Sequence, residues 1–209
     1  MNIYHQVFPL ILVNELIPNL KIDLKYATHD NFMGRPARGY LAQKCYLSKA
    51  CLEQLLKVNF NLNQQNLGMI IYDGYRPHKA TLDFLDWCAG SIENLEMKKK
   101  YYPNLNKSQF FELGFLAKKS RHSSGSAVDL SLYYLESGEL IDMGGFFDFF
   151  HESSATAFTG ISKLAQQNRM MLKNLMEAEN FTNYHNEWWH YSLKNEPHEG
   201  IYFDEVIKD

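Results

Sequence analysis

Apolar residues recur at helical spacing in some stretches of the chain and form short unbroken runs in others. Leu52, Leu55 and Leu56 make a stripe at helical spacing. Ser48 ahead of them is a natural N-cap, with Leu47 and Leu52 at hydrophobic-staple spacing. Met69–Tyr72 is an apolar run closed by Asp73-Gly74, which predicts a buried strand entering a turn. Pro77 suits the first position of a helix continuing to about Ala89, with Leu82, Leu85 and Cys88 facing inward. Residues 91–102 and 108–111 carry shorter helical patterns, and Ala127–Tyr133 alternates as a strand. Residues 161–179 give the longest amphipathic pattern. It sets Ile161, Leu164, Ala165, Met171, Leu172, Leu175 and Met176 on one broad face, and Asn180 is placed to end it. Trp188–Leu193 has the aromatic composition of a strand. Helices and strands interspersed in this way predict an α+β fold with a central antiparallel sheet and flanking helices, not a doubly wound α/β fold. No repeat, low-complexity tract or flexible linker interrupts the pattern, so residues 1–209 are read as one domain.

Composition narrows the class. Hydrophobic residues at 45% and charged residues at 22% are enough for a real core. The net charge of −3, with both signs mixed along the chain, excludes the clustered basic face of a nucleic-acid binder. The Lys98-Lys99-Lys100 run follows Glu93 and Glu96 and reads as the solvated side of a helix. Cys45, Cys51 and Cys88 are odd in number and lack metal-knuckle or redox spacing, so they are expected as reduced, mostly buried thiols. The apolar run Val7–Val13 ends at Asn14-Glu15. It lacks a preceding basic region and a following small-residue cleavage site, and is too short to span a bilayer. The expectation is a cytoplasmic protein with neither a membrane nor a nucleic-acid partner; nothing in the pattern specifies an oligomeric state.

Two separated segments carry the candidate chemistry. Ser120-Arg121-His122-Ser123-Ser124-Gly125-Ser126-Ala127-Val128-Asp129 supplies a His and an Asp; Glu187-Trp188-Trp189-His190 supplies a second His and a spare carboxylate. Two imidazoles and one carboxylate leave the fourth tetrahedral position on Zn²⁺ open to water, which distinguishes a catalytic zinc from a closed structural one. On the strand, Asp129 alternates away from Val128, Leu130 and Leu132, and Gly125 allows the chain to fold His122 back towards it. Taken alone, a surface His and a carboxylate on a wet edge strand would be the simpler reading. The second segment changes the balance. Trp188, Trp189 and Tyr191 demand burial, and a Glu and a His among them need a partner, which a metal ion provides. Glu187 and His190 are three apart, so Glu187 is expected on the turn leading in and His190 on the strand itself. Arg76, in Tyr72-Asp73-Gly74-Tyr75-Arg76-Pro77, could bind an oxyanion or a substrate carboxylate, or could equally be a structural partner of Asp73. His5, His29, His78, His151, His185 and His198 have no partner at comparable spacing.

These segments give the chain a specific resemblance. With Tyr26-Ala27-Thr28, Asn31-Phe32, Asp142-Met143-Gly144 and Phe147-Asp148, they occur in the order found in the D-Ala-D-Ala metallopeptidase family and cover nearly the whole chain. The resemblance implies an α+β fold shared with peptidoglycan-cleaving zinc peptidases and the zinc-containing domain of hedgehog proteins. It implies one Zn²⁺ per chain held by His122, Asp129 and His190, with Glu187 as general base and Arg76 stabilising the transition state. It also implies Tyr26, Ser120 and Asp148 around the charged ends of a dipeptide. Asp148 is the residue suited to an ammonium terminus. The implied activity is hydrolysis of D-alanyl-D-alanine. Two rivals follow from the same resemblance: a peptidase acting on peptidoglycan stem peptides, and a zinc-stabilised binding domain without catalysis. The N/O donor set also accommodates ions such as Co²⁺. Residues 90–118 match nothing in the family pattern and could reshape substrate access.

Overall fold

The computed structural model describes residues 8–209; His5 and Val7 lie outside them. Five strands form the main sheet: β2 (Lys21–Ile22), β4 (Leu67–Asp73), β5 (Ala127–Tyr134), β6 (Phe181–Asn183) and β7 (His190–Leu193), in the order β2-β4-β5-β7-β6. The pairings are antiparallel as expected, except that edge strand β2 lies parallel to β4. A small ribbon pairs β1 (Ile11–Leu12) with β3 (Tyr46–Leu47). Helices α1 (Lys49–Asn63) and α5 (Lys163–Ala178) pack on the sheet and on each other. Ser48 caps α1, accepting the Cys51 N–H at 3.2 Å, and Asn180 follows α5 in the left-handed region at φ 63°. Among the described residues no helix is long and apolar enough to cross a membrane.

Two helical faces differ from the periodicity. In α2 (His78–Ala89) Leu82 is exposed, Leu85 and Cys88 are half-buried, and Ala80, Thr81, Asp83 and Phe84 turn inward. The reason is electrostatic. Asp83 receives a two-pronged hydrogen bond from Arg35 (2.7 and 2.9 Å) and the Arg38 N–H (3.0 Å), which rotates Leu82 outward. In α5 Leu164 is exposed, and the fully buried positions are Ala165, Arg169, Leu172 and Met176. A guanidinium therefore occupies the middle of a face that pattern alone fills with apolar residues. The shorter patterns become α3 (Leu95–Tyr101), capped by Asn94, and α4 (Gln109–Glu112). Cys45 and Cys51 are buried free thiols and Cys88 is a half-buried one.

Strand register does the positioning. Asp129 of β5 lies opposite Asp73 of β4 on one side and His190 of β7 on the other, so the three side chains share one face. A bulge makes this possible. Ile71 pairs with Leu130, but Asp73 pairs with Asp129, one residue out of step. In a regular strand Asp73, two residues after Ile71, would share the face of Ile71, in the core; the bulge turns it onto the face of Asp129.

Candidate active site and metal centre

His122 stands in a 3-10 turn over Arg121–Ser124, which Ser120 opens by accepting the His122 N–H at 3.2 Å. Gly125 closes the turn at φ 71°. A Cβ there would meet Leu10 at 2.6 Å and the Ser48 nitrogen at 3.0 Å, so both backbone and space require glycine. The turn is tied to the end of β4 in both directions. The Arg76 N–H donates to the His122 carbonyl at 3.2 Å, and His122 Nδ1 donates to the Gly74 carbonyl at 2.7 Å. A carbonyl only accepts, so that bond puts the ring proton on Nδ1 and leaves the Nε2 lone pair facing the site. His190 opens β7, and Glu187 lies on the turn before it, as the spacing predicts.

Three donor atoms converge. His122 Nε2 is 3.3 Å from Asp129 Oδ2 and 3.2 Å from His190 Nδ1, and His190 Nδ1 is 2.9 Å from Asp129 Oδ1. The other ring nitrogen of His190 meets the Ser192 hydroxyl at 3.1 Å. Among the described residues this is the one group of three or more His, Cys, Asp or Glu side chains arranged to hold an ion. The set fits a divalent cation. Metal–donor bonds of about 2.0–2.2 Å in tetrahedral array separate donors by roughly 3.3–3.5 Å, close to these spacings, and each imidazole is backed by a polar partner on its far nitrogen. Burial pushes the Asp129 carboxyl upward, but His122 and His190 outweigh it and hold it well below its ordinary range. Burial pulls His190 down, favouring the neutral ring that ligates metals.

The remaining predicted residues line the same cavity of about 510 Å³: Tyr26, Arg76, Ser120, Asp148 and Glu187. Arg76 is the structural partner of Asp73, one of the two readings the sequence left open, and it lines the cavity as well. Its Nε and Nη2 donate to Asp73 Oδ2 at 2.9 and 2.8 Å, and Nη2 stands 3.6 Å from Asp129 Oδ2. Its partner thus holds it in the site. Burial lowers the guanidinium's proton affinity, but Asp73 reverses this and keeps it charged. Asp148 is buried, sits at φ 60°, and accepts the Tyr26 hydroxyl at 2.9 Å. Burial and then Asp129 push its carboxyl well above the usual range. Glu187 is raised likewise, by burial, then Asp129 and Asp148. His185 is exposed and is not among the converging donors.

Sequence reasoning missed two parts of the site. Asp73 entered it only as a possible partner of Arg76, because the bulge that re-aims it leaves no mark in composition. The cavity wall at Phe111, Gly114, Phe115, Leu116 and Ala117 comes from the unmatched region 90–118. Its glycines and aromatics were the available signal. Tyr184 ties this wall down by donating to the Gly114 carbonyl at 2.9 Å.

Comparison with known proteins identifies relatives over most of the chain. A D-alanyl-D-alanine dipeptidase of Enterococcus faecium is 42% identical over 196 residues, covering 94% of this chain and 96% of its own. One of Streptomyces coelicolor is 40% identical over 192 residues, covering 92% and 95%. One of Escherichia coli is 32% identical over 178 residues, covering 85% and 81%. A sequence model of the D-ala-D-ala dipeptidase family matches residues 8–208. With that match spanning almost every described residue, the chain belongs to the D-Ala-D-Ala dipeptidase family of metallopeptidases.

Proposed function

We propose that this protein is a zinc-dependent dipeptidase that hydrolyses D-alanyl-D-alanine to two D-alanines. His122, Asp129 and His190 would hold the ion. The observation that carries the reading is the convergence of their three donors beside a free carboxylate, Glu187, and a buried guanidinium, Arg76, in one cavity. When bound, zinc supplies Lewis acidity and lowers the pKa of coordinated water to about 7. Glu187 accepts a proton from the attacking water and returns it to the leaving amine. Its raised proton affinity suits a group that must act as acid after acting as base. Arg76 stabilises the developing oxyanion, pre-aligned by Asp73 so that little reorganisation is needed. Asp148, braced by Tyr26, accepts the substrate ammonium. Ser120 lines the cavity with its hydroxyl proton uncommitted by its bond to the His122 N–H, and can donate to the substrate carboxylate. Residues 1–209 act as one domain, a reading supported by the single contiguous core among the described residues. We read its site of action as cytoplasmic, a reading supported by the free thiols of Cys45, Cys51 and Cys88. The test is a panel of alanyl dipeptides of all four stereochemical combinations, offered beside a muropeptide, with and without chelator. Chelator-sensitive release of D-alanine from the D,D dipeptide alone is expected. Turnover of the muropeptide, or of nothing with zinc present, would overturn the assignment.

A further inference from the structure

Arg169 is fully buried on α5, yet among the described residues no carboxylate lies within ion-pairing distance of it. Two of its nitrogens donate to three backbone carbonyls, Nε to Met143 at 2.6 Å and Nη1 to Ser153 and Ala155, both at 2.8 Å, while Nη2 is buried without a partner. Burial pulls its pKa down to about 10. Asp142 offsets this only in part, and a buried cation with no ion-pair partner is destabilising in itself, so what it joins matters.

The three carbonyls belong to two segments that run into the active site. Met143 precedes a turn with Gly144 at φ 69° and leads to Asp148 at φ 60°. Ser153 and Ala155 bracket Ser154, whose carbonyl accepts the N–H of Trp188, next to Glu187, at 3.0 Å. Thr156 continues the connection. Its hydroxyl donates to Asn183 Oδ1 at 2.6 Å, and the Asn183 amide donates to the carbonyls of Glu187 and His190, each at 3.0 Å. One guanidinium therefore ties the loop of Asp148 to the turn of Glu187.

We propose that Arg169 is a positioning residue for this reaction, setting the spacing between the Asp148 carboxylate, which receives the substrate ammonium, and the Glu187 carboxylate, which moves the proton. The inference rests on the dipeptidase reading above. A planar fork of donors holds several carbonyls in a fixed relation, and the point charge of lysine does not reproduce it.

The experiment measures kcat and KM for D-alanyl-D-alanine, metal content and melting temperature for Arg169→Lys, Arg169→Met and Thr156→Val. The last removes the Thr156–Asn183 link to the Glu187 turn and leaves the Met143 side untouched. Arg169→Lys should bind a full complement of zinc and lose about 100-fold in kcat/KM, the scale of an ångström of misplacement. Thr156→Val should lower kcat by about tenfold and leave KM within about twofold, since Asp148 is undisturbed. In a double-mutant cycle, Arg169→Lys with Asp148→Asn should lose less than the product of the single losses. Lower melting temperatures with unchanged kcat and KM per zinc-loaded molecule, or strictly multiplicative losses, would overturn the proposal. If the Arg169 variants fail to fold, Thr156→Val decides: unchanged kcat counts against positioning. Wild-type turnover is the control, because its absence strikes the dipeptidase reading and not the role of Arg169.

Discussion

Replacing Asp73 with Asn tests how the site holds its arginine. Asp73 is completely buried and accepts from Arg76 twice and from the Tyr40 hydroxyl at 2.5 Å. The substitution keeps the shape and removes the charge. Arg76, itself only 9% exposed, then has Asp129 at 3.6 Å as its nearest carboxylate. Breaking a buried pair by removing one partner costs about 3–5 kcal/mol, because the other charge is left uncompensated. A small rotation of Arg76 towards Asp129 recovers part of this, at the expense of Asp129 as a metal ligand. If about 3 kcal/mol is expressed in catalysis, kcat/KM falls roughly 100-fold, at about 1.4 kcal/mol per tenfold. Metal affinity should weaken as well, by about 10- to 100-fold, as for loss of an outer partner. The assay is D-alanine release from D-alanyl-D-alanine, paired with zinc titration against a competing chelator. Wild-type kcat/KM together with wild-type zinc affinity in Asp73→Asn would refute the reasoning.

Glu187→Gln should retain zinc and lose about 100- to 10,000-fold in kcat, the usual worth of a positioned proton-transfer group; near-normal turnover would remove Glu187 from that role. His122→Ala and His190→Ala should lose both metal and activity, and stoichiometric zinc in either purified protein would count against that residue as a ligand. Away from the site, Asp83 is pushed upward by burial, but Arg35 and the Arg38 backbone reverse this and leave its carboxyl below the ordinary range. Its contribution to stability is therefore full above the unfolded pKa of about 3.9 and is lost as pH falls through the lower folded value. With both arginines half exposed, solvent screening holds this to about 1 kcal/mol. Thermal melts from neutral pH downward should show Asp83→Asn less stable at neutrality, with the difference closing in acid; a constant offset would show that the carboxylate is not responsible.

The donor residues were readable from sequence because their types are restrictive. The His and Asp around Gly125 alone have a simpler surface reading, but a Glu and a His among tryptophans need a partner, and together the two segments point to one site. Elements marked by strong local signals were equally readable, as with Ser48 before α1 and Asp73-Gly74 after β4. What escaped depends on tertiary partners. Leu82 faces solvent because two arginines from a distant loop claim Asp83 on the next position of the helix. Arg169 sits inside because its partners are backbone carbonyls, which no side-chain pattern reveals. Beyond α4 the wall at 113–117 has no periodicity of its own and is held by a bond to Tyr184 from the far end of the chain.

The extra residue in β4 makes spacing, as well as identity, a heritable part of this catalyst. Upstream of it the strand obeys ordinary in-and-out alternation, and downstream the phase is inverted. A change that straightened the strand while keeping all of its residues would leave every side chain of the centre encoded, yet send the carboxylate that anchors Arg76 into oil. Grafting this centre onto another sheet would therefore require copying an irregularity of the backbone along with the amino acids.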